Sequence, residues 1–404
     1  MVPLPVTRHK PLRQVDTRLR VLLSINTSWN IVNFRSGLVR ALVTHGFEVV
    51  AASPVDTHTG RLEKIGCRHV SLAMDSKGTN PLADSALFLR YLRLMQRERP
   101  DVYLGWTIKP NIYGSLAARF LGIPVINNVS GLGTAFLRDG WLTQVAKFLY
   151  RMALNRSACA FFQNRDDCDL FIRSNLVRPG QAQLLPGSGI DLNRFAPIPQ
   201  QPRDVGRGPV FILISRLLWD KGVGEYVEAA RIVTKQLPQA RFRLLGFLEV
   251  ENHSAVPRHI VDGWVQEGTI EYLGQTDEVR PHIAASDCVV LPSYREGTPR
   301  VLLEASAMAR PVITTDTPGC RDVVDDGVTG HLCRVRDAHD LAEKMLTFAA
   351  LSQAARAKIG AAGRAKMEKE YDEEIVIAAY LKAIQQALGR QVEARVLLGE
   401  DTSV

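Results

Sequence analysis

Short apolar runs and segments of helical period alternate along this chain in two separate series, and that double alternation confines it to few folds. The first series predicts strand Arg20–Ile25, helix Phe34–His45, strand Glu48–Ala52, a helix near Thr59–Ile65, strand His69–Leu72 and helix Pro81–Glu98. It continues with strand Val102–Leu104, helix Ile112–Leu121 and strand Val125–Asn127, while the polar stretch Asn26–Asn33 reads as a loop. The second series predicts strand Val210–Ile214, helix Gly224–Gln236, strand Arg241–Leu245, a helix near Ile260–Gln266 and strand Ile270–Leu273. Helix Glu278–Ala285, strand Cys288–Leu291, helix Arg300–Ala309, strand Val312–Thr315 and helix Ala338–Leu351 complete it. Strands separated by helices cannot pair as hairpins, so the fold class is α/β with doubly wound parallel sheets. Between the series lie Leu184–Asp191 and a Pro/Gln-rich stretch, Pro197–Pro209, which has the composition of a linker. The expected architecture is two Rossmann-like domains, 18–190 and 191–371, after an N-terminal arm over 1–17. Such a pair faces the carboxyl ends of its strands across a cleft, where ligands of open α/β sheets bind.

A length of 404 residues suits two or three domains. The net charge of +8 is uneven. Residues 1–200 carry 25 Lys+Arg against 13 Asp+Glu, or +12, and the remainder carries 25 against 29, or −4. A basic first half suits an anionic surface or substrate, and charge alone does not separate membrane lipid, a lipid diphosphate and nucleic acid.

The six cysteines, Cys67, Cys159, Cys168, Cys288, Cys320 and Cys333, show no C-x2-C spacing and no paired histidines. Neither a zinc site nor a disulfide framework is supported. The first residues, Met1–Asp16, lack the apolar core of a signal peptide, and no run approaches the ~18 apolar residues of a membrane span. A cytosolic protein with reduced thiols is expected, with contact to a membrane surface left open.

Chemistry concentrates in Leu291–Ala309. A buried strand stops at Pro292, a polar loop carries Glu296, and Pro299 stands where a helix begins, which places Glu304 in its second turn. A helix N-terminus after a parallel strand attracts anions, whereas two carboxylates beside it favour hydroxyls. A sugar nucleotide offers both. Taken alone, Glu296 is equally a solvated loop charge and Glu304 an ordinary early-helix acid. The first βα loop of the second series, Ser215-Arg-Leu-Leu-Trp-Asp-Lys-Gly222, supplies Arg216 and Lys221, a planar fork and a point charge suited to a diphosphate. Both loops are expected to open on one cleft.

Together, Arg216, Lys221 and the run Glu296-Gly-Thr-Pro-Arg-Val-Leu-Leu-Glu304 resemble the R…K and E-x7-E signature of retaining family 4 glycosyltransferases with the two-domain GT-B fold. Thr107-Ile-Lys-Pro-Asn-Ile-Tyr-Gly-Ser-Leu-Ala-Ala118 and Val129-Ser-Gly-Leu-Gly-Thr-Ala-Phe136 are similar to segments of bacterial capsule, exopolysaccharide and lipid-linked oligosaccharide glycosyltransferases. The resemblance spans roughly 18–388. It implies a UDP-sugar co-substrate and no other cofactor, a polyprenyl-diphosphate glycan acceptor, and work at the inner membrane surface. Arg216 and Lys221 would hold the donor diphosphate, Glu296 the transferred sugar's hydroxyls, and Glu304 the ribose hydroxyls. Gly297, Thr298, Pro299 and Arg300 would surround the sugar, with Gly274 and Gln275 near the base. Residues 372–388 resemble the family's C-terminal helix that crosses back onto the first domain, leaving 389–404 as a tail. Many relatives carry a Gly-Gly pair in the first βα loop, where this chain has Asn26-Thr-Ser-Trp29, and some carry a first-domain histidine that residues 70–200 lack. Ser28, Trp29, Thr107, Lys109, Asn111, Gly131 and Gly133 are therefore the acceptor-side candidates. Asn111 equally suits a helix N-cap.

Other signals are weaker. Asp167-Cys-Asp169 is a D-x-D, but it follows strand Cys159–Phe162 and opens a helix, so first-turn acids explain it and no metal is expected. Gly131-Leu-Gly133 and Gly187-Ser-Gly189 lack the third glycine of a dinucleotide fingerprint. Trp141–Met152 is a basic amphipathic helix, and with Phe136, Leu137 and Arg138 just before it and Lys147 and Arg151 within it, it suits membrane contact as well as core packing. The alternatives are a basic nucleic-acid-binding protein without catalysis, against which no nucleic-acid module is found, and a GT-B-type sugar-nucleotide epimerase.

Overall fold

Val21, Leu22 and Leu23 are all buried, so the first strand shows no polar face and sits mid-sheet with both sides covered. The computed structural model describes residues 18–75, 80–131, 141–198, 208–248 and 252–397. Its first sheet comprises β1 (Arg20–Ser24), β2 (Glu48–Ser53), β3 (Cys67–Ser71), β4 (Val102–Trp106), β5 (Val125–Val129), β6 (Cys159–Phe162) and β7 (Ala182–Leu184). The order is β3-β2-β1-β4-β5-β6-β7, and each pairing is parallel. Val21 and Leu23 point into one core with Leu38, Leu42, Tyr380 and Ile384, while Leu22 joins Leu87, Tyr91 and Met95 on the other face. The second sheet comprises β8 (Val210–Ile214), β9 (Arg241–Leu245), β10 (Glu271–Tyr272), β11 (Cys288–Leu291), β12 (Val312–Thr315) and β13 (Gly330–Cys333), ordered β10-β9-β8-β11-β12-β13 and again parallel.

In each sheet the order of strand addition reverses once, between β1 and β4 and between β8 and β11. Connections leave those neighbouring strands toward opposite faces, which opens a crevice at their carboxyl ends. The loops after β8 and β11 carry Arg216, Lys221 and Glu296, so topology brings together motifs that are far apart in sequence.

The structure redraws several boundaries. Ser28–Phe34 is a helix, not a loop, because Thr27 caps it (its Oγ1 accepts from Asn30 N at 3.2 Å) and Ile31 and Val32 bury an apolar edge. The region near Thr59–Ile65 is two single 3₁₀ turns, and the helix expected over Ile112–Leu121 starts as a π-turn over Pro110–Gly114 before Ser115–Phe120. Strands β7 and β13 and helix Gln353–Lys366 add to the predicted set. All six cysteines are buried and none is in a disulfide, and burial pushes the thiols of Cys67 and Cys333 up to about 12.

The chain crosses between the sheets twice, and the crossings are laced together. Ile190 N donates to the Tyr371 carbonyl at 2.8 Å and Glu373 N to the Ile190 carbonyl at 3.1 Å. Helix Glu373–Leu397 then returns to the first sheet, burying Val376, Ile377, Tyr380 and Ile384 in its core. Gly189, at φ +67, passes so close to the Glu373 backbone that a side chain has no room.

Candidate active site

Tight loops at the second sheet's switch point set the charged groups. After β8 the chain makes a 3₁₀ turn, Trp219–Lys221, closed by Gly222 at φ 72. A β-carbon at Gly222 would strike the Pro292 carbonyl, so glycine lets this loop lie against the one following β11. Tyr294 N donates to the Asp220 carbonyl at 2.9 Å, and Ser293 Oγ to the same oxygen at 3.2 Å. With the two loops tied, Lys221 Nζ reaches Glu296 Oε1 at 2.5 Å; the side chains are 17% and 14% exposed.

Helix Arg300–Ala307 begins after Pro299, which provides no side-chain cap. Glu304 Oε1 accepts from Arg300 Nε at 3.2 Å, one turn apart. Burial raises the Glu304 carboxyl above its ordinary range, and the Arg300 guanidinium opposes that shift. Arg300 also donates through Nη1 to Ser188 Oγ at 3.0 Å and the Gly189 carbonyl at 2.7 Å, and lies over the rings of Phe34 and Phe195.

Arg216, Lys221, Glu296, Pro299, Arg300 and Glu304 line a single cavity of about 270 Å³. Trp29, Asn33 and Phe34 form its wall on the first domain, from the helix that follows β1. One acid–base pair, an exposed arginine, a half-buried indole and a deeper carboxylate thus share one pocket between two sheets.

Other candidates stand apart from this cavity. Gly297 and Thr298 face the first domain instead: Thr298 Oγ1 donates to the Gln163 carbonyl at 2.9 Å, and a β-carbon on Gly297 would meet the Ser130 carbonyl. Gly274 and Gln275 do not line the cavity, although Gly274 anchors its rim by accepting from Gly246 N at 2.8 Å; Thr276 and Asp277 line it in their place. Ser28 is buried against Ser53 and Thr59 and does not reach the cleft. Lys109 pairs with Asp84 at 2.7 Å, and Thr107, at φ 62, donates to its own strand's last carbonyl, that of Trp106, at 2.6 Å. Asn111 is neither a cleft residue nor an N-cap: 1% exposed, it donates to the Asn128 carbonyl at 2.9 Å and accepts from Asn127 at 3.0 Å. A cluster of amides inside the sheet needs internal partners, and Asn111 supplies them. Gly131, at φ 139, approaches Gly297 from the first domain, while Gly133 lies outside the described residues.

Sequence reasoning missed Asn164, Arg194 and Phe195. Arg194 and Phe195 line the cavity, and Asn164 Nδ2 donates to the Gly297 carbonyl at 3.1 Å. For Asn164 a local signal existed, since Asn164-Arg-Asp-Asp167 is an N-cap pattern: its Oδ1 accepts from Asp167 N at 2.8 Å. Asp166 and Asp167 do occupy a first helical turn, and among the described residues no group of three or more His, Cys, Asp or Glu side chains is placed to hold a metal ion.

Two family models divide the chain along its two sheets. Residues 20–164 match the model described as glycosyl transferase 4-like, and residues 208–350 match that of glycosyl transferases group 1. The chain belongs to the group 1, 4-like glycosyltransferases. This glycosyltransferase is 26% identical over 374 residues to the N,N'-diacetylbacillosaminyl-diphospho-undecaprenol α-1,3-N-acetylgalactosaminyltransferase of Campylobacter jejuni, covering 89% of this chain and 96% of that relative. It is also 26% identical to the Escherichia coli UDP-Gal:α-D-GlcNAc-diphosphoundecaprenol α-1,3-galactosyltransferase, over 67% of this chain and 70% of that one. Among solved structures, Anabaena HepE in complex with UDP and glucose superimposes with a TM-score of 0.73 at 18% identity, covering 91% of this chain and all of that one. The glycosyltransferase therefore has the GT-B fold.

Proposed function

We propose that this glycosyltransferase moves a hexose or N-acetylhexosamine from a UDP-sugar to a polyprenyl-diphosphate-linked glycan, with retention of anomeric configuration and without a metal ion. The observation that carries this reading is the convergence of Arg216, Lys221, Glu296 and Glu304 on one cavity between the sheets. Its relatives' donor and acceptor classes, N-acetylgalactosamine or galactose onto undecaprenyl-diphosphate glycans, support the substrate classes.

Breaking the anomeric C–O bond places negative charge on the departing phosphate. Arg216 and Lys221 answer it with fixed positive charge, the role a divalent ion fills elsewhere, and such preorganised groups contribute about 3 kcal/mol apiece. Glu296 accepts from the hydroxyls of the transferred sugar, and Glu304 from those of the ribose. Lys221 and Glu296 neutralise each other as an ion pair, so the diphosphate takes the ammonium while the sugar takes the carboxylate. Glu296 is engaged in that hydroxyl and charge network, which favours a front-face substitution: the acceptor oxygen bonds the anomeric carbon as the C–O bond to phosphate breaks, and the acceptor proton passes to the leaving phosphate.

Acceptor delivery at the cytoplasmic face of the inner membrane fits a surface on the first domain. Helix Trp141–Leu154 turns Val145, Phe148 and Met152 toward solvent, and Phe120, 75% exposed, adjoins them because Arg119 Nη1 donates to the Met152 carbonyl at 3.0 Å. Exposed Arg119, Arg151 and Arg156 flank this apolar patch. Apolar side chains ringed by arginine suit the interface of an anionic bilayer. Among the described residues no helix is long and apolar enough to cross a membrane. Residues 132–140, with Phe136, Leu137 and Arg138, lie outside the described residues, as does the side chain of Trp141.

A panel of UDP-sugars with and without a polyprenyl-diphosphate acceptor, scored by UDP release and by the anomeric coupling of the product, tests the reading. Turnover without acceptor, an inverted product, or a covalent sugar adduct on Glu296 overturns it.

A further inference from the structure

The acid that opens the D-x-D in the sequence has another use. Asp167, 1% exposed, forms a salt bridge with Arg295, the residue next to Glu296, although the two lie on different domains. Asn164, which caps the same helix, donates to the carbonyls of Glu296 and Gly297 at 3.4 and 3.1 Å. Thr298 closes the set by donating to the Gln163 carbonyl at 2.9 Å. Every residue from Arg295 to Thr298 is thus held by one short first-domain segment or abuts it, while the same loop presents Glu296 to Lys221.

We infer that Asp167 and Arg295 form a latch that positions Glu296, so that the sugar subsite is assembled only when the two domains are docked. A carboxylate so deeply buried is tolerated only when paired, and its partner belongs to the loop that bears Glu296. Arg216, Lys221 and Glu304 all belong to the second domain, and the side chains of Lys221 and Glu304 bond to Glu296 and Arg300 and not to Asp167 or Arg295, so the nucleotide half of the site does not depend on the latch contact itself. Asp167 is a positioning residue, and its effect falls on turnover, not on nucleotide affinity. The inference rests on the proposed role of Glu296 in the donor site.

Asp167→Asn, Arg295→Gln and the double variant test it in the full chain. Amide hydrogen exchange over 293–298 reads the latch without reference to activity, UDP calorimetry reads the nucleotide half, and kcat is measured with UDP-N-acetylgalactosamine and a polyprenyl-diphosphate glycan. Exchange rises in all three variants, UDP affinity is unchanged, and kcat falls about a hundredfold, the scale on which misplacement of a reacting group by an ångström acts. The double variant falls no further than the worse single one, since both remove the same contact. Unchanged exchange overturns the latch, as does a UDP affinity that drops in step with kcat or a double variant whose losses multiply. If Asp167→Asn fails to fold, Arg295→Gln decides, because Arg295 is the more exposed partner. A parent protein that binds no UDP defeats the donor-site reading, and the exchange measurement still decides the latch.

Discussion

Lys221 Nζ and Glu296 Oε1 lie 2.5 Å apart, on loops that follow two strands adjacent in space and separated by two others in sequence. Each is the other's charge partner, with little access to solvent on either side. A ligand that enters must offer both an anion for the first and hydroxyl donors for the second, or leave a partly buried charge uncompensated.

That exchange predicts distinct phenotypes for the two partners. Lys221→Met removes stabilisation of the leaving phosphate and lowers kcat by about two to three orders of magnitude, with weaker UDP binding. Glu296→Gln keeps the shape of the side chain and leaves UDP binding close to the parent, but it also loses turnover. UDP release and UDP calorimetry, run on both variants, check the contrast.

Glu304 sets a conflict between stability and function. Burial raises its carboxyl above the ordinary value of 4.5. Between that value and the raised one the folded chain binds more protons than the unfolded chain, so stability falls as pH rises through the window, and the penalty persists at neutral pH. Glu304→Gln removes it. The variant melts higher than the parent at pH 7, the advantage vanishes as pH falls below 4.5, and UDP binds more weakly because a hydroxyl acceptor is lost. Melting curves at the two pH values, paired with UDP calorimetry, are the check.

Much of this site could be read locally. Strand, loop and helix N-terminus around Glu296 and Glu304 follow from an apolar run, two prolines and a helical period, and Arg216 and Lys221 follow from their place after β8. That β8 and β11 are neighbours follows from the doubly wound class, which is why the two motifs could be expected to meet. What stayed hidden was either marginal or nonlocal. Ser28–Phe34 looked like a loop because its polar residues outnumber the two that anchor it, and its cap, Thr27, is a weak signal beside Trp29 and Asn30. The pairing of Asp167 with Arg295 spans 128 positions, and no periodicity encodes it. Asn111 reads as a cleft-edge or N-cap amide until Asn127 and Asn128 are seen behind it.

Arg300 ties the proposed donor pocket to the crossing segment, since one guanidinium donates to Glu304, Ser188 and the Gly189 carbonyl and lies over Phe34 of the first domain. A lysine cannot reproduce that planar fork. Arg300→Lys is therefore as damaging as Arg300→Ala, each weakening apparent donor affinity tenfold or more, at about 1.5–3 kcal/mol for hydrogen bonds to a charged group. Initial-rate kinetics over a range of donor concentrations give the comparison, and retention of parental KM by the lysine variant contradicts it.

The exposed patch of the first domain gives the last expectation. Phe120 and Phe148 are 75% and 61% exposed and share a surface with Val145 and Met152, bordered by arginines. Burying a phenylalanine in an apolar phase gains about 1.5–3 kcal/mol, and each arginine near an anionic surface adds about 1 kcal/mol at low ionic strength. The parent protein should therefore sediment with vesicles containing phosphatidylglycerol, less so with purely zwitterionic ones, and less again as salt is raised, because only the second contribution is screened. Phe148→Ser should weaken that binding by tenfold or more while leaving UDP affinity intact, since the residue lies outside the cavity. Loss of turnover on a membrane-embedded acceptor, with turnover on a short detergent-soluble acceptor preserved, would locate the defect in docking; equal binding of parent and variant to every vesicle would remove the patch from the account.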